Sequence, residues 1–281
     1  MLTALDFMFT PFIACILLLG ITVYFGIHVI KREIIFIDIS LAQIAALGGV
    51  VSLIIQKSYG TEGQIHDHGS HTMLSYIFCI LAAIIFALLK NKKVKIPLEA
   101  IIGVSYAVAT TGTVIILDKG AGGDVHIHDM LAGTILWVTW HQIFRLFINV
   151  AIIGGFHFIF RKKFFRLTDN YLENKDSIKN PILWDFLFYF TFGIVIVEAV
   201  SVGGIITVFA FLIIPASISA FFADSWFSRI LIGLCVGSLV TILGLYLSWV
   251  MDIPCSPTII LFLGVFLLIA LGLKALKLIG K

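Results

Sequence analysis

Residues 257–273 read Pro257-Thr258-Ile259-Ile260-Leu261-Phe262-Leu263-Gly264-Val265-Phe266-Leu267-Leu268-Ile269-Ala270-Leu271-Gly272-Leu273, with no charge before Lys274. A helix needs about 20 mainly apolar residues, in a range of roughly 17–25, to cross the hydrocarbon core of a bilayer, and this run falls within that range without a charge. Comparable blocks follow one another back to Phe7. The expected spans are 8–30, 34–56, 72–90, 98–117, 142–160, 183–200, 204–223, 228–250 and 257–275. The chain therefore reads as an all-α polytopic transmembrane helical bundle of eight to nine spans, one transmembrane domain over 1–281.

Composition agrees. The 281 residues are 60% hydrophobic and 12% charged, with mean hydropathy +1.10, against about 25% charged for a soluble domain. No polar stretch is long enough to be a soluble domain; the longest, Arg161 to Asn180, reads as a connecting loop. The net charge of +3 comes from short basic clusters between spans, a pattern of membrane orientation rather than nucleic-acid binding. The opening lacks a basic n-region and a small-residue cleavage site, so it reads as a first span. Cys15, Cys79 and Cys235 fall in apolar blocks and Cys255 in a short loop, with no CxxC; buried thiols of this kind pack as small hydrophobes. The chain has no GxxxxGKS/T phosphate loop, no GxSxG elbow and no HExxH, so it carries no ATPase or hydrolase motif of its own.

Basic clusters follow the first, third, fifth and ninth spans: Lys31 and Arg32; Lys90, Lys92, Lys93 and Lys95; Arg161, Lys162, Lys163 and Arg166; Lys274, Lys277 and Lys281. The positive-inside bias then places the N-terminus outside and the C-terminus in the cytoplasm. Pro254 and Pro257 predict a tight turn between the last two spans. The amphipathic segment Asp129 to Trp140 is either a half-helix dipping into the outer face or the start of the fifth span.

Small residues recur at helical spacing: Ala42, Ala45, Ala46, Gly48 and Gly49; Gly193, Gly203 and Gly204; and Gly233-x-x-x-Gly237. The plainer reading is close helix packing, and the functional one a dimer or gating interface. Ionisable groups inside spans are rarer. Asp38 lies about one turn into the second span, with Gln43 deeper, and Glu198 near the outer end of the sixth. A carboxylate at membrane depth costs several kcal/mol unless it faces a cavity or a partner, so all three are candidates to line a pathway. Asp38 has a plainer reading as an interfacial carboxylate at a helix N-terminus. His28 and His157, near the cytoplasmic ends, read as interfacial packing.

Six of the eight histidines fall on the outer side. One loop reads His66-Asp67-His68-Gly69-Ser70-His71, the other Asp124-Val125-His126-Ile127-His128-Asp129, and His141 follows. Imidazole with carboxylate suits zinc, manganese, iron or nickel. The expectation is transient metal capture by His66, His68, His71, His126, His128 and Asp129 at the mouth of a pathway. The alternative is a solvated polar loop. No thiolate joins them, so a closed structural zinc site is not expected.

Six stretches in order resemble the integral-membrane permease subunit of bacterial ABC importers for zinc, manganese or iron. Lys31-Arg32-Glu33 and Phe36-Ile37-Asp38-Ile39-Ser40-Leu41-Ala42-Gln43 resemble that family's basic pair and GD-x-L-x-H-A stretch. Glu99-Ala100-Ile101-Ile102-Gly103 is similar to its Glu-x-x-Ile-Gly entry to the fourth span. Asp129 to Trp140 resembles its L-x-G-x-I-L-x-V-(S/T)-W segment. Leu212-Ile213-Ile214-Pro215-Ala216 matches its LLIIPAA signature, and Asp252 to Ile259 resembles D-(L/I)-P-x-G-(P/A)-T-I. Three positions depart. Gln43 stands where the family often carries His, Asp38 falls one position before the usual Asp, whose place Ile39 takes, and Ser256 replaces Gly.

The resemblance implies a type II ABC importer-like permease with no permanently bound cofactor, passing a divalent metal. Its implied partners are a second copy of the chain, a cytoplasmic ABC ATPase and an extracytoplasmic metal-binding lipoprotein. The implied contact with the ATPase is the loop from Thr168 to Pro181, with Asp169, Tyr171, Leu172 and Glu173 opening a short helix; the stretch Asp224 to Arg229 is a second candidate. Two other readings stay open: a self-sufficient divalent-metal channel or proton-coupled carrier, and a membrane-anchored metal sensor.

Overall fold

The computed structural model describes residues 4–58, 68–91, 95–118, 135–171 and 179–279. Among them the chain forms helices and no strand: α1 (Ala4–Arg32), α2 (Ile37–Ser58), α3 (His68–Asn91), α4 (Leu98–Asp118), a 3₁₀ turn (Ile135–Trp137), α5 (Trp140–Ile159), α6 (Arg161–Asp169), α7 (Pro181–Gly203), α8 (Ile205–Phe222), α9 (Trp226–Met251) and α10 (Cys255–Ile279). Among the described residues eight helices are long and apolar enough to cross a membrane, and α2 adds a shorter apolar stretch, Ile37–Ser52. The expected second span, 34–56, is thus a helix whose last turns turn polar at Gln56, Lys57 and Ser58. The segment Ile135 to Trp140 resolves as a 3₁₀ turn leading into the fifth span. There Thr139 and Gln142 form a capping box: the Thr139 amide donates to Gln142 Oε1 at 2.9 Å and the Gln142 amide to Thr139 Oγ1 at 3.4 Å, satisfying amides that a helix start leaves open.

One expectation is corrected. The opening of the loop from Arg161 to Asn180 is not irregular: Arg161–Asp169 is α6. Phe164, Leu167 and Thr168, spaced i, i+3, i+4, are buried, whereas Arg161, Lys162 and Lys163 are exposed. The apolar stripe was hidden inside a basic run, and burying it is what makes so short a helix form.

Two compact units divide the chain. The first comprises Met1–Lys31, Asp129–Phe156 and Ala199–Lys281. Within it α8, α9 and α10 pack on one another. Pro215 inside α8 cannot donate an amide to the turn before it, and its ring lies against the small face of α9. A Cβ at Gly233 would stand 2.6 Å from Val23 Cγ1, and one at Gly237 would stand 2.7 Å from Leu19 Cδ2 and 3.5 Å from Pro215 Cγ. The GxxxG face is therefore a seat for α1 and α8, the packing reading of that motif. Gly204 breaks α7 from α8 at φ 76° and ψ 160°, a conformation open only to glycine at little cost. α9 ends on Asp252 in the left-handed region (φ 52°), and Ser248 Oγ donates to the Ile253 carbonyl at 2.7 Å before Pro254 redirects the chain into α10.

The second unit comprises Arg32–His128 and His157–Glu198. Here α2 packs on both α3 and α4. Glycine permits the approach: a Cβ on Gly48 would meet the Leu74 carbonyl oxygen at 2.8 Å, and one on Gly193 would collide with Cys79 Sγ. The link between α1 and α2 is tied to α4 by Glu99, whose Oε1 accepts from the Phe36 amide at 3.1 Å.

Candidate functional site

Asp38 sits in the first turn of α2 and Gln43 five residues further on, and both are buried at 2% exposure. Asp38 Oδ1 and Gln43 Oε1 are buried acceptors without a hydrogen-bond partner among the described residues, as is Ser40 Oγ. An unmade hydrogen bond on a buried polar atom costs about 1–3 kcal/mol. Five residues at 3.6 per turn set Asp38 and Gln43 roughly 140° apart around α2. A carboxylate at position 39 would stand four residues from Gln43, on the same face. The one-position shift noted in the sequence therefore separates the two groups around the helix, and one ion cannot be held by both from α2 alone.

Glu198, the third pathway candidate, is 4% exposed in α7, and Tyr76 of α3 donates its hydroxyl to Glu198 Oε1. His28 and His157 behave as the sequence suggests. His28 lies edge-on to Tyr24 at 4.7 Å and against Trp226 at 4.6 Å between ring centroids. His157 stacks on Phe164 at 4.0 Å, with Nε2 2.8 Å from Thr191 Oγ1. His66, His126, His128 and Asp129 lie outside the described residues; His68 and His71 fall in the first turn of α3. No cluster of three or more metal-binding side chains occurs among the described residues.

One buried polar cluster among the described residues was not singled out in the sequence. Arg32, the last residue of α1, is 1% exposed. Its Nε donates to Thr168 Oγ1 of α6 at 2.9 Å and its Nη1 to Asp185 Oδ1 of α7 at 3.2 Å, where the carboxylate is fully buried. Lys90, at the end of α3, lies 3.5 Å from Asp185 Oδ2. The Arg32 guanidinium rides 3.8 Å over Phe188 and 5.0 Å over Tyr171, and the Lys90 ammonium 4.1 Å over Tyr171. Tyr171 and Tyr189 share a hydroxyl contact of 2.9 Å. Burial pushes the Tyr171 phenol up to about 12, against the opposing pull of the Arg32 guanidinium.

Of the expected ATPase-contact residues, Asp169 ends α6 exposed and Tyr171 is buried in this cluster; Leu172 and Glu173 lie outside the described residues. Asp185 escaped notice because it is one acid in an apolar run, and Arg32 because it read as an orientation signal. A lone acid in a predicted span is the clue that would have found them.

A profile of the ABC 3 transport family matches residues 4–274. The chain belongs to the ABC 3 transport family. The family resemblance is thereby borne out. Among curated relatives, the chain is 25% identical over 257 residues to a probable metal transport system membrane protein of Chlamydia muridarum, covering 89% of this chain and 83% of that protein. It is 26% identical over 195 residues to the manganese import system permease protein ScaB of Streptococcus parasanguinis, covering 69% of each. Among solved structures, PsaBC from Streptococcus pneumoniae in complex with Fab superposes with a TM-score of 0.75 at 22% identity, covering 94% of this chain and 90% of that one. That likeness is one of fold, and the all-helical membrane bundle read from the sequence is the fold the ABC 3 chain adopts.

Proposed function

We propose that the chain is the permease subunit of an ABC importer that brings a divalent transition metal, manganese foremost, across the bacterial cytoplasmic membrane. The observation that carries this is the family match over residues 4–274, joined to relatives named for metal transport and manganese import. The chemistry of α2 points the same way: the Asp38 carboxylate and the Gln43 amide oxygen, taken singly, are oxygen donors that suit a hard ion better than zinc. Hydrolysis belongs to a separate cytoplasmic ATPase, and an extracytoplasmic lipoprotein delivers the ion. Two copies of the chain flank the path, with the N-terminus outside and the C-terminus in the cytoplasm. His66, His68, His71, His126, His128 and Asp129 gather scarce metal at the outer mouth; Asp38, Gln43 and Glu198 line the way through. Asp169, Tyr171, Leu172 and Glu173 receive the ATPase, whose closure biases the permease between outward- and inward-open states.

The test is uptake of manganese, zinc and iron, offered one at a time, by cells whose only copy of the gene is intact or deleted. Loss of manganese uptake on deletion supports the reading, and loss of zinc or iron uptake instead reassigns the cargo. Uphill transport by the purified chain in vesicles without an ATPase would make it a self-sufficient carrier.

A further inference from the structure

The buried cluster at the ends of α1, α3 and α7 is costly as a stability device. Taking charges out of water costs several kcal/mol per ion, and replacing a buried ion pair by apolar residues of similar volume is often neutral or stabilising. Here two cations, Arg32 and Lys90, meet at one carboxylate, Asp185. Arg32 Nη2 is buried and has no hydrogen-bond partner among the described residues. A cluster built for stability alone would close that bond. Its position is the second observation. Thr168 lies on the buried face of α6, and Tyr171 lies just beyond its end, within the segment proposed to receive the ATPase. One side chain, Arg32, grips both: Thr168 through Nε and Tyr171 through the face of the guanidinium. The same guanidinium grips α7 through Asp185 and Phe188, and Lys90 adds α3 through the same carboxylate and the Tyr171 ring.

We infer that Arg32 is a positioning residue for transport, the latch through which displacement of α6 is passed to the membrane-spanning helices, with Asp185 as its fixed anchor and Lys90 as the competing cation for that anchor. The latch rests on the permease reading above. A network with two discrete arrangements carries coupling between distant sites. Here the shared carboxylate and the unmade Nη2 bond supply the second arrangement: the guanidinium can exchange its hold on Asp185 with Lys90 as α6 shifts. Arginine suits the role because its planar fork hydrogen-bonds in two directions while its face stacks, which lysine cannot reproduce.

The experiment measures manganese transported per ATP hydrolysed by the permease reconstituted with its ATPase and lipoprotein, alongside the amount of permease in the membrane. Arg32→Met, Lys90→Met and Asp185→Leu are combined, so that no charge is left orphaned, and Arg32→Lys is made alone. Both proteins are expected at wild-type amounts with the ratio lowered roughly tenfold, which is about 1.4 kcal/mol of lost coupling. A merely structural role would move the amount and the melting temperature but leave the ratio alone. The wild-type ratio in either variant overturns the latch. If the triple variant fails to reach the membrane, Arg32→Lys decides by the same criterion. Absence of ATP-dependent uptake by the wild-type protein would instead overturn the permease reading.

Discussion

The Cα of Gly26 faces the carbonyl oxygen of Leu212 so closely that a methyl group on Gly26 would overlap it. Membrane helices lack a hydrophobic drive to associate and rely on such approaches. Because the obstacle is backbone, no rotamer change relieves it. Gly26→Ala is therefore expected to destabilise the first unit by roughly 1–3 kcal/mol, the usual cost of overpacking. Gly20→Ala on the same helix, where a Cβ meets nothing within 4 Å, serves as the control. Thermal unfolding of detergent-purified protein measures both.

The register of α2 makes a prediction about selectivity. Exchanging the pair to Asp38→Ile and Ile39→Asp, with Gln43→His, puts a carboxylate and an imidazole four residues apart on one helical face. Uptake competition is expected to shift at least several-fold from manganese toward zinc, in line with the preference of imidazole. Unchanged competition would place the pathway ligands elsewhere than α2.

The outer histidines are expected to matter only when metal is scarce. Replacing His66, His68 and His71 with Gln should lower uptake severalfold at nanomolar supply and leave it near wild type at micromolar supply, because a capture site raises local concentration without altering the path. Equal uptake at both concentrations would reduce the stretch to a solvated loop.

Tyr171 supplies a pH test with a definite sign. Its phenol has an ordinary value of 10.0 and is pushed up to about 12 in the fold, so folding favours the neutral form. The stabilisation this brings is complete below about pH 10 and is lost as pH rises through 12. Wild type should exceed Tyr171→Phe in melting temperature at pH 8, through the hydroxyl pair with Tyr189, and that margin should shrink between pH 10 and 12. A margin that stays constant would mean the phenol is not buried as described.

The bundle was legible because lipid imposes a simple rule: a helix must be apolar for about 20 residues. Hence α10, α9 and α8 fall close to the windows their composition marks. Pro215 and the glycines at 233 and 237 meet in space and constrain each other. A lone acid in a span marks Asp185, but its pairing with Arg32 was not legible, since the two are 153 residues apart and nothing local joins them. α6 was missed for a different reason. Its apolar stripe is three residues inside a basic run, too short for periodicity to rise above the charge. The helical phase of Asp38 against Gln43 could have been worked out from spacing alone, but it gains meaning only once both side chains are known to be buried.

The separation of Arg32 and Lys90 from Asp185 also dictates an order of assembly. Both cations leave the ribosome well before their counter-charge, and while they wait they can act as retention signals that hold nascent helices in orientation at the membrane surface. Only when α7 arrives can they be drawn inside. Until Asp185 is made the two side chains have no buried carboxylate to pair with, so a nascent chain stopped before it would leave both charges in water.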